Sequence, residues 1–311
     1  MKHTVDFNYF PGYTRKAITF TLDDGNVRYD RALLDVVRPA GIRGTFNLCS
    51  TDALSPEEYR SLYEGYEIAN HVHRHPEAIG ERFDSFARVS VPYPAEGAQA
   101  GVLYATDTEG LYHFVNRRGI PQYVAEVEPY MALTDRATEL LRAVFGPSAA
   151  QGFVWPYSEQ PNEELKARLG AHGFAYMRKT GSVLASTGFA MPLDRMAWSY
   201  NADDTQLLAC AEDFAAYPDD GELKFFAFGV HAVDFEVNAR WDDLHRFCER
   251  FGNRPDEYYS APVIDLFRYE DAVRALRITD EGIENASDIC LFGTVDGERV
   301  TLPAHGKLVF S

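Results

Sequence analysis

The chain has 311 residues, 46% of them hydrophobic, and its 47 acidic against 30 basic side chains give a formal net charge of −17. That apolar content fills one large core, or one core with an appendage, while the acidic balance argues against nucleic acid or an anionic membrane as partner, since both demand a basic face. No apolar signal region opens the chain and no run reaches membrane-spanning length, and the scattered Cys49, Cys210, Cys248 and Cys290 form no Cys-x-x-Cys, so they read as free thiols of a cytoplasmic protein.

The first element is a buried strand, Ala17-Ile18-Thr19-Phe20, leading into Thr21-Leu22-Asp23-Asp24-Gly25. Two adjacent carboxylates repel, so their pairing at a strand end needs a cause. It is either an ordinary polar turn, or a cation bound by one carboxylate while the other stays free to move protons. A helix over 28–40 follows, with Ala32, Leu33, Leu34, Val36 and Val37 on one stripe, and then a strand over 43–48. Ser55-Pro56-Glu57-Glu58 opens the next helix: Ser55 caps it and Glu58 completes a capping box. A short strand over 66–69 then delivers Asn70-His71-Val72-His73-Arg74-His75-Pro76. Strand, helix, strand, helix, strand is the order of a parallel sheet or barrel, whose functional residues sit at the strands' C-terminal ends.

Residues 81–133, rich in Tyr, Gly and Pro, interrupt this rhythm and read as an insertion of irregular or β-rich structure over one face. The rhythm resumes with a helix over 134–145, a strand over 152–157, a helix over 162–172 and a strand over 174–178. A buried strand over 224–230 ends in His231, and a helix over 242–251, a strand over 258–264 and a helix over 269–276 close the repeat. In the tail, two alternating runs flank Asp296-Gly297, a hairpin turn signal, so 277–311 reads as a small β appendage.

His71 and His75 are four apart, and on a helical turn both imidazoles face one way. With a carboxylate they can bind a divalent metal and leave positions open for water and substrate. His73 is a rival ligand, because His71 and His73 would point together on an extended segment. Three histidines in five residues is an unusual density for packing.

Thr21-Leu22-Asp23-Asp24-Gly25, followed by Glu67-Ile68-Ala69-Asn70-His71 and His75-Pro76, resembles the first two motifs of the polysaccharide deacetylases, the NodB-homology or family 4 carbohydrate esterase group. Phe153-Val154-Trp155-Pro156-Tyr157 resembles their third motif and Gly229-Val230-His231 their last. The likeness spans roughly 15–276 apart from the insertion. It implies an α/β fold, a distorted (β/α)7 barrel, and hydrolysis of an acetyl group from an N-acetylated or O-acetylated sugar or oligosaccharide. It implies that Asp23 is the general base, that Asp24, His71 and His75 hold one divalent metal ion, that His231 is the general acid, and that Tyr157 lends its backbone N–H to the oxyanion. The implied metal is zinc, with cobalt, nickel and manganese as alternatives. The aromatics of the insertion either touch a sugar ring or pack the insertion's own core.

The chain departs from the family pattern in the third motif. Typical members carry an Arg early in that motif, paired with the base Asp. Here that place holds Val154 beside Trp155, and Ser158 replaces the usual Gly. Arg178, at the end of the next strand, is the alternative donor to Asp23. Val72 replaces the Ser or Thr that follows the first His. Asp234 is placed either to orient His231 and raise its pKa or to cap the following helix. Two other readings stand beside the deacetylase: a carbohydrate-binding barrel that keeps the metal without turnover, motivated by the missing Arg, and an amidase acting on a non-sugar amide. The absence of a secretion signal in the chain points to a soluble sugar inside the cell.

Overall fold

In the strand Lys16–Asp24, Ile18, Phe20 and Leu22 are buried against Leu33, Leu34 and Val37, whereas Thr19, Thr21 and Asp23 leave the other face. A pleated strand imposes this alternation, and it gives the sheet an apolar outer face for helices and a polar inner one. The computed structural model describes residues 3–94, 96–157, 162–179 and 189–310, with the backbone alone at Val230; Ser158 lies outside the described residues.

Lys16–Asp24 belongs to a seven-stranded sheet, all of whose pairings are parallel. The order is Tyr176–Arg178, Gly152–Val154, Glu67–Asn70, Thr45–Leu48, Lys16–Asp24 and Lys224–His231, with Tyr259–Ser260 paired to the start of Lys16–Asp24. The sheet curls rather than closing by a continuous ladder. Between its two edges runs the segment 198–202, in which Trp198 bridges to Arg178 and Ala202 to Phe228. This is the distorted (β/α)7 architecture expected from the sequence. Helices Val27–Val37, Pro56–Leu62, Val127–Phe145, Glu163–Ala171, Leu207–Ala216, Trp241–Phe251 and Val263–Arg274 follow strands in chain order. The Ser55–Glu58 capping box is formed in both directions, a feature that contributes about 1 kcal/mol.

Register brings the chemistry to one end. His231 lies beside Asp23, Asp23 beside Asn47, Asp24 beside Leu48, and Leu48 beside Asn70.

Three expectations need correction, and one helix was not expected. The helix assigned to 134–145 begins at Val127, because Pro129 falls in its first turn, where no intrahelical N–H is lost, and Tyr130 and Met131 are buried. The strand assigned to 258–264 is only Tyr259–Ser260; Val263 and Ile264 open a helix behind Pro262, since a short apolar run fits either element. The strand assigned to 152–157 ends at Val154. Helix Leu207–Ala216 had no counterpart in the sequence reading.

Between the barrel strand Glu67–Asn70 and helix Val127–Phe145, five short strands form a separate sheet in the order Glu77–Ala78, Pro121–Ala125, Leu111–Val115, Val102–Ala105, Ala87–Val89. Phe83, Leu103, Phe114 and Val124 make its small core, while Tyr93, Tyr104, His113 and Tyr123 form a chain of edge-on ring contacts. At the other end of the sequence, Leu291–Val295 and Glu298–Leu302 form a hairpin, and Val5–Tyr9 pairs with its first strand. Asp296 and Gly297 both have positive φ (54° and 85°), as a type I′ turn requires. A second sheet joins Arg277–Thr279, Gly282–Glu284 and Lys307–Val309. All four cysteines are free thiols. Among the described residues no helix is long and apolar enough to cross a membrane.

Candidate metal centre and active site

Asp23 and Asp24 end one strand but meet different surroundings. Asp23 is 5% exposed and faces the barrel interior. Its Oδ1 accepts a hydrogen bond from Arg178, itself fully buried, and a second from Asn47 Nδ2 at 2.8 Å. Asn47 also donates to Thr21 Oγ1 at 2.8 Å, so its amide is fixed. Burial alone would raise the Asp23 pKa; the positive charge of Arg178 outweighs it and holds the carboxyl below its ordinary value. The Arg178 guanidinium lies 5.3 Å from the Tyr200 ring centroid, over its face.

Asp24 turns the other way. Its φ is 74° and that of Gly25 is 70°, a left-handed pair that bends the chain out of the sheet. A side chain at Gly25 would also meet Leu48 Cδ2 at 2.5 Å. Asp24 Oδ1 lies 3.5 Å from His71 Nε2 and 3.4 Å from His75 Nε2, and the two imidazole nitrogens are 3.1 Å apart. A tetrahedral metal with bonds of ~2.0–2.1 Å has donor–donor edges of ~3.3–3.4 Å. The triangle's edges, 3.1 to 3.5 Å, bracket that length. His71 Nδ1 donates to the Val154 carbonyl at 2.9 Å, which leaves Nε2 with its lone pair toward the other two donors. Burial and the neighbouring His71 push the His75 pKa down to about 4, so its ring is neutral as a ligand must be. These three donors fit a divalent ion by both spacing and protonation state.

The two histidines do not converge through a helical turn, as the four-residue spacing suggested. Val72, Arg74 and His75 have φ of 58°, 66° and 48°, and the segment is an irregular turn closed by His75 N–H to the Val72 carbonyl at 3.0 Å. A β-branched residue at positive φ is strained, and the surroundings hold it there. Val72 is fully buried, and its N–H donates to Asn70 Oδ1, while Asn70 Nδ2 donates to the Thr134 carbonyl and to Thr138. His73 points elsewhere: its Nδ1 lies 3.3 Å from the Cys49 carbonyl, outside the triangle.

His231 faces the triangle from the neighbouring strand, its Nε2 3.6 Å from Asp24 Oδ2. Asp234 accepts from both the His231 Nδ1–H, at 2.9 Å, and the His231 backbone N–H, at 3.1 Å. That bond, with the nearby charges of Asp24 and Asp23, outweighs burial and raises the His231 pKa to about 9. Tyr157 has φ of 64°, and its ring stands edge-on to His75 at 4.6 Å between centroids. Trp155 is buried against Phe153 and Tyr130, and its backbone N–H donates to the Arg178 carbonyl at 3.0 Å. The structure thus gathers Asp23, Asp24, His71, His75, Tyr157, Arg178, His231 and Asp234 at one end of the barrel, with Trp155 packed beneath. Sequence reasoning gave no role to Asn47 or Asn70. Their signal was faint: one amide interrupting the apolar strand Thr45–Leu48, another at a strand end.

A family model described as polysaccharide deacetylase matches residues 11–177, over half of the chain. No curated protein matches it. Among solved structures, a CE4 esterase from Streptococcus mutans aligns at 15% identity and TM-score 0.45, covering 81% of this chain and 87% of that one. A chitin deacetylase from Colletotrichum lindemuthianum aligns at 14% identity and TM-score 0.45, covering 84% of this chain and 89% of that one. The peptidoglycan deacetylase PdaC from Bacillus subtilis aligns at 14% identity and TM-score 0.44, covering 83% and 91%.

Proposed function

The chain belongs to the polysaccharide deacetylase family, and on that premise we propose that it is a metal-dependent hydrolase that removes an acetyl group from an N-acetylated or O-acetylated sugar or oligosaccharide. The observation that carries this reading is the division of labour between neighbours: Asp24 completes a ligand triangle with His71 and His75, while Asp23 is held off it by Arg178 and Asn47.

Asp24, His71 and His75 would hold a divalent ion, zinc by the donor set, and such an ion would supply Lewis acidity toward an acetyl carbonyl and a water. Asp23 is the base that takes a proton from the attacking water. Arg178 and Asn47 both occupy Oδ1, so Oδ2 is the oxygen left to receive it. The Tyr157 backbone N–H stabilises the oxyanion that develops. His231, protonated at neutral pH because Asp234 accepts its Nδ1–H, presents Nε2–H to the leaving nitrogen or oxygen. The arginine missing from the third motif motivated a binding-only reading. Arg178 answers that motive, since it brings a guanidinium to the same carboxylate from another strand.

The test is acetate release by the zinc-loaded protein from N-acetylated sugar oligomers, set beside a non-sugar N-acetyl amide. Release from the sugars alone is the expected result. Release from the amide alone points to an amidase, and sugar binding without release points to a binding module.

A further inference from the structure

Beside the Asp24–His71–His75 triangle lies a cavity of ≈ 750 Å³, walled on one side by Tyr157 and on the others by the five-stranded sheet. Tyr157 is shared ground: its ring touches His75 and also lines this cavity. The charged residues of the lining are Arg82, Arg117, Arg118 and Glu77. Three arginines against one carboxylate make a basic pocket in a chain whose net charge is −17.

The carboxylate is already committed. Glu77 is buried and pairs with Arg82 at 3.0 Å, and Arg82 lies over the Phe83 and Phe114 rings. Arg117 and Arg118 are different. Both are exposed, and among the described residues neither has a carboxylate partner, whereas nearby Arg88 pairs with Glu126 and Arg168 with Glu128. They occupy the tip of the hairpin between Leu111–Val115 and Pro121–Ala125, and the tip is firmly built. Asn116 Oδ1 accepts from the backbone N–H of Arg118 and of Ile120, Asn116 N–H donates to the Ile120 carbonyl, and Gly119 takes φ of 77°. Two arginines adjacent in sequence on a fixed turn line a cavity whose one carboxylate is already paired, so the cavity offers an entering anion an excess of positive charge. Guanidinium forks match carboxylate and phosphate oxygens, so the cavity suits either.

We propose that Arg117 and Arg118 form an anion subsite, and that the acetylated sugar processed here carries a carboxylate or phosphate group that docks in it. This rests on the deacetylase reading for its reaction, but the subsite itself does not. The five-stranded sheet then acts as a specificity element, feeding the charged end of the substrate past Tyr157 while the acetyl group reaches the metal triangle.

The experiment uses the zinc-loaded full chain and three probes: N-acetylglucosamine, its 6-phosphate, and N-acetylmuramic acid. Binding is measured by titration calorimetry and turnover by acetate release, for the unmutated protein and for R117A/R118A. The charged probes are expected to bind about 10- to 100-fold more tightly than the neutral one, with an advantage that shrinks in R117A/R118A and at high salt. Preference for the phosphate arm or for the carboxylate arm identifies the group. Arg-dependent binding of a charged probe with no acetate from any probe supports the subsite and counts against the reaction. Equal affinity for charged and neutral probes, or a preference that survives in the folded double variant, overturns the subsite whatever the turnover shows.

Discussion

Arg178 reaches Asp23 across the mouth of the barrel. Four strand spacings separate them in the sheet, since Arg178 ends the edge strand Tyr176–Arg178 and Asp23 lies near the end of Lys16–Asp24, yet guanidinium and carboxylate meet as a buried pair. Curvature of the sheet makes this contact possible, and the contact in turn ties the open side of the barrel to its central strand.

Replacing Arg178 therefore tests both stability and chemistry. Arg178→Met leaves Asp23 as an uncompensated buried charge, a change that costs about 3–5 kcal/mol. Urea unfolding measures it. Arg178→Lys keeps the charge but not the fork, and its turnover rate is expected to fall about 10- to 100-fold with metal content unchanged. Its acid limb should move to higher pH, because a weaker partner lets the Asp23 pKa rise. Full activity in Arg178→Met would show that this pair has no part in the reaction.

Asp234 offers a signed pH prediction. Its bond to His231 raises the imidazole pKa to about 9, so a proton is available for donation up to that region and is lost above it. Asp234→Asn removes the charge, lowers the His231 pKa and moves the alkaline limb of kcat/KM to lower pH. An alkaline limb that stays in place in this variant would belong to a group other than His231.

Asp30 makes a prediction about stability away from the chemistry. It is fully buried in helix Val27–Val37, with the Tyr63 hydroxyl donating to Oδ2 at 2.6 Å and no partner on Oδ1 among the described residues. Burial raises its pKa to about 7 against that bond, with the charge of Asp24 adding to the rise. An unfolded Asp gives up its proton near pH ~4, so between there and neutrality the folded state binds more protons and stability falls as pH rises. Asp30→Asn should remove that slope. From about pH 5 to about pH 8 the variant should gain stability relative to the unmutated chain by an amount on the order of 2–4 kcal/mol, read by urea unfolding of the metal-free proteins. Parallel pH profiles would show that Asp30 titrates normally.

The parts of this site that were legible in the sequence were those written in short segments. Asp23-Asp24-Gly25 at a strand end, the His71/His75 spacing and the strand–helix order needed only local pattern. The convergence of His71 and His75 was legible, but its cause was not. The turn depends on left-handed backbone at Val72, Arg74 and His75, which no propensity favours and which Asn70 enforces through contacts with helix Val127–Phe145. The start of helix Val127–Phe145 was missed because residues 127–133 fell inside the stretch read as an insertion, and Pro129 is compatible with a helix only because it sits in the first turn. The anchoring of Asp23 by Asn47 is a matter of register between strands, and the basic pocket under Arg117 is a matter of how the five-stranded sheet faces Tyr157. Neither relation exists in one dimension.

The central claim is that two adjacent carboxylates do different work, and one paired measurement addresses it directly: zinc content and acetate release for Asp24→Ala and Asp23→Asn. Asp24→Ala should purify with reduced zinc and low activity, and excess zinc should restore part of that activity. Asp23→Asn should keep its zinc, because Asp23 lies outside the ligand triangle, and its turnover rate should fall by a factor on the order of 10²–10⁴ that added zinc does not recover. Loss of zinc from Asp23→Asn with retention in Asp24→Ala would contradict the account by reversing the two roles.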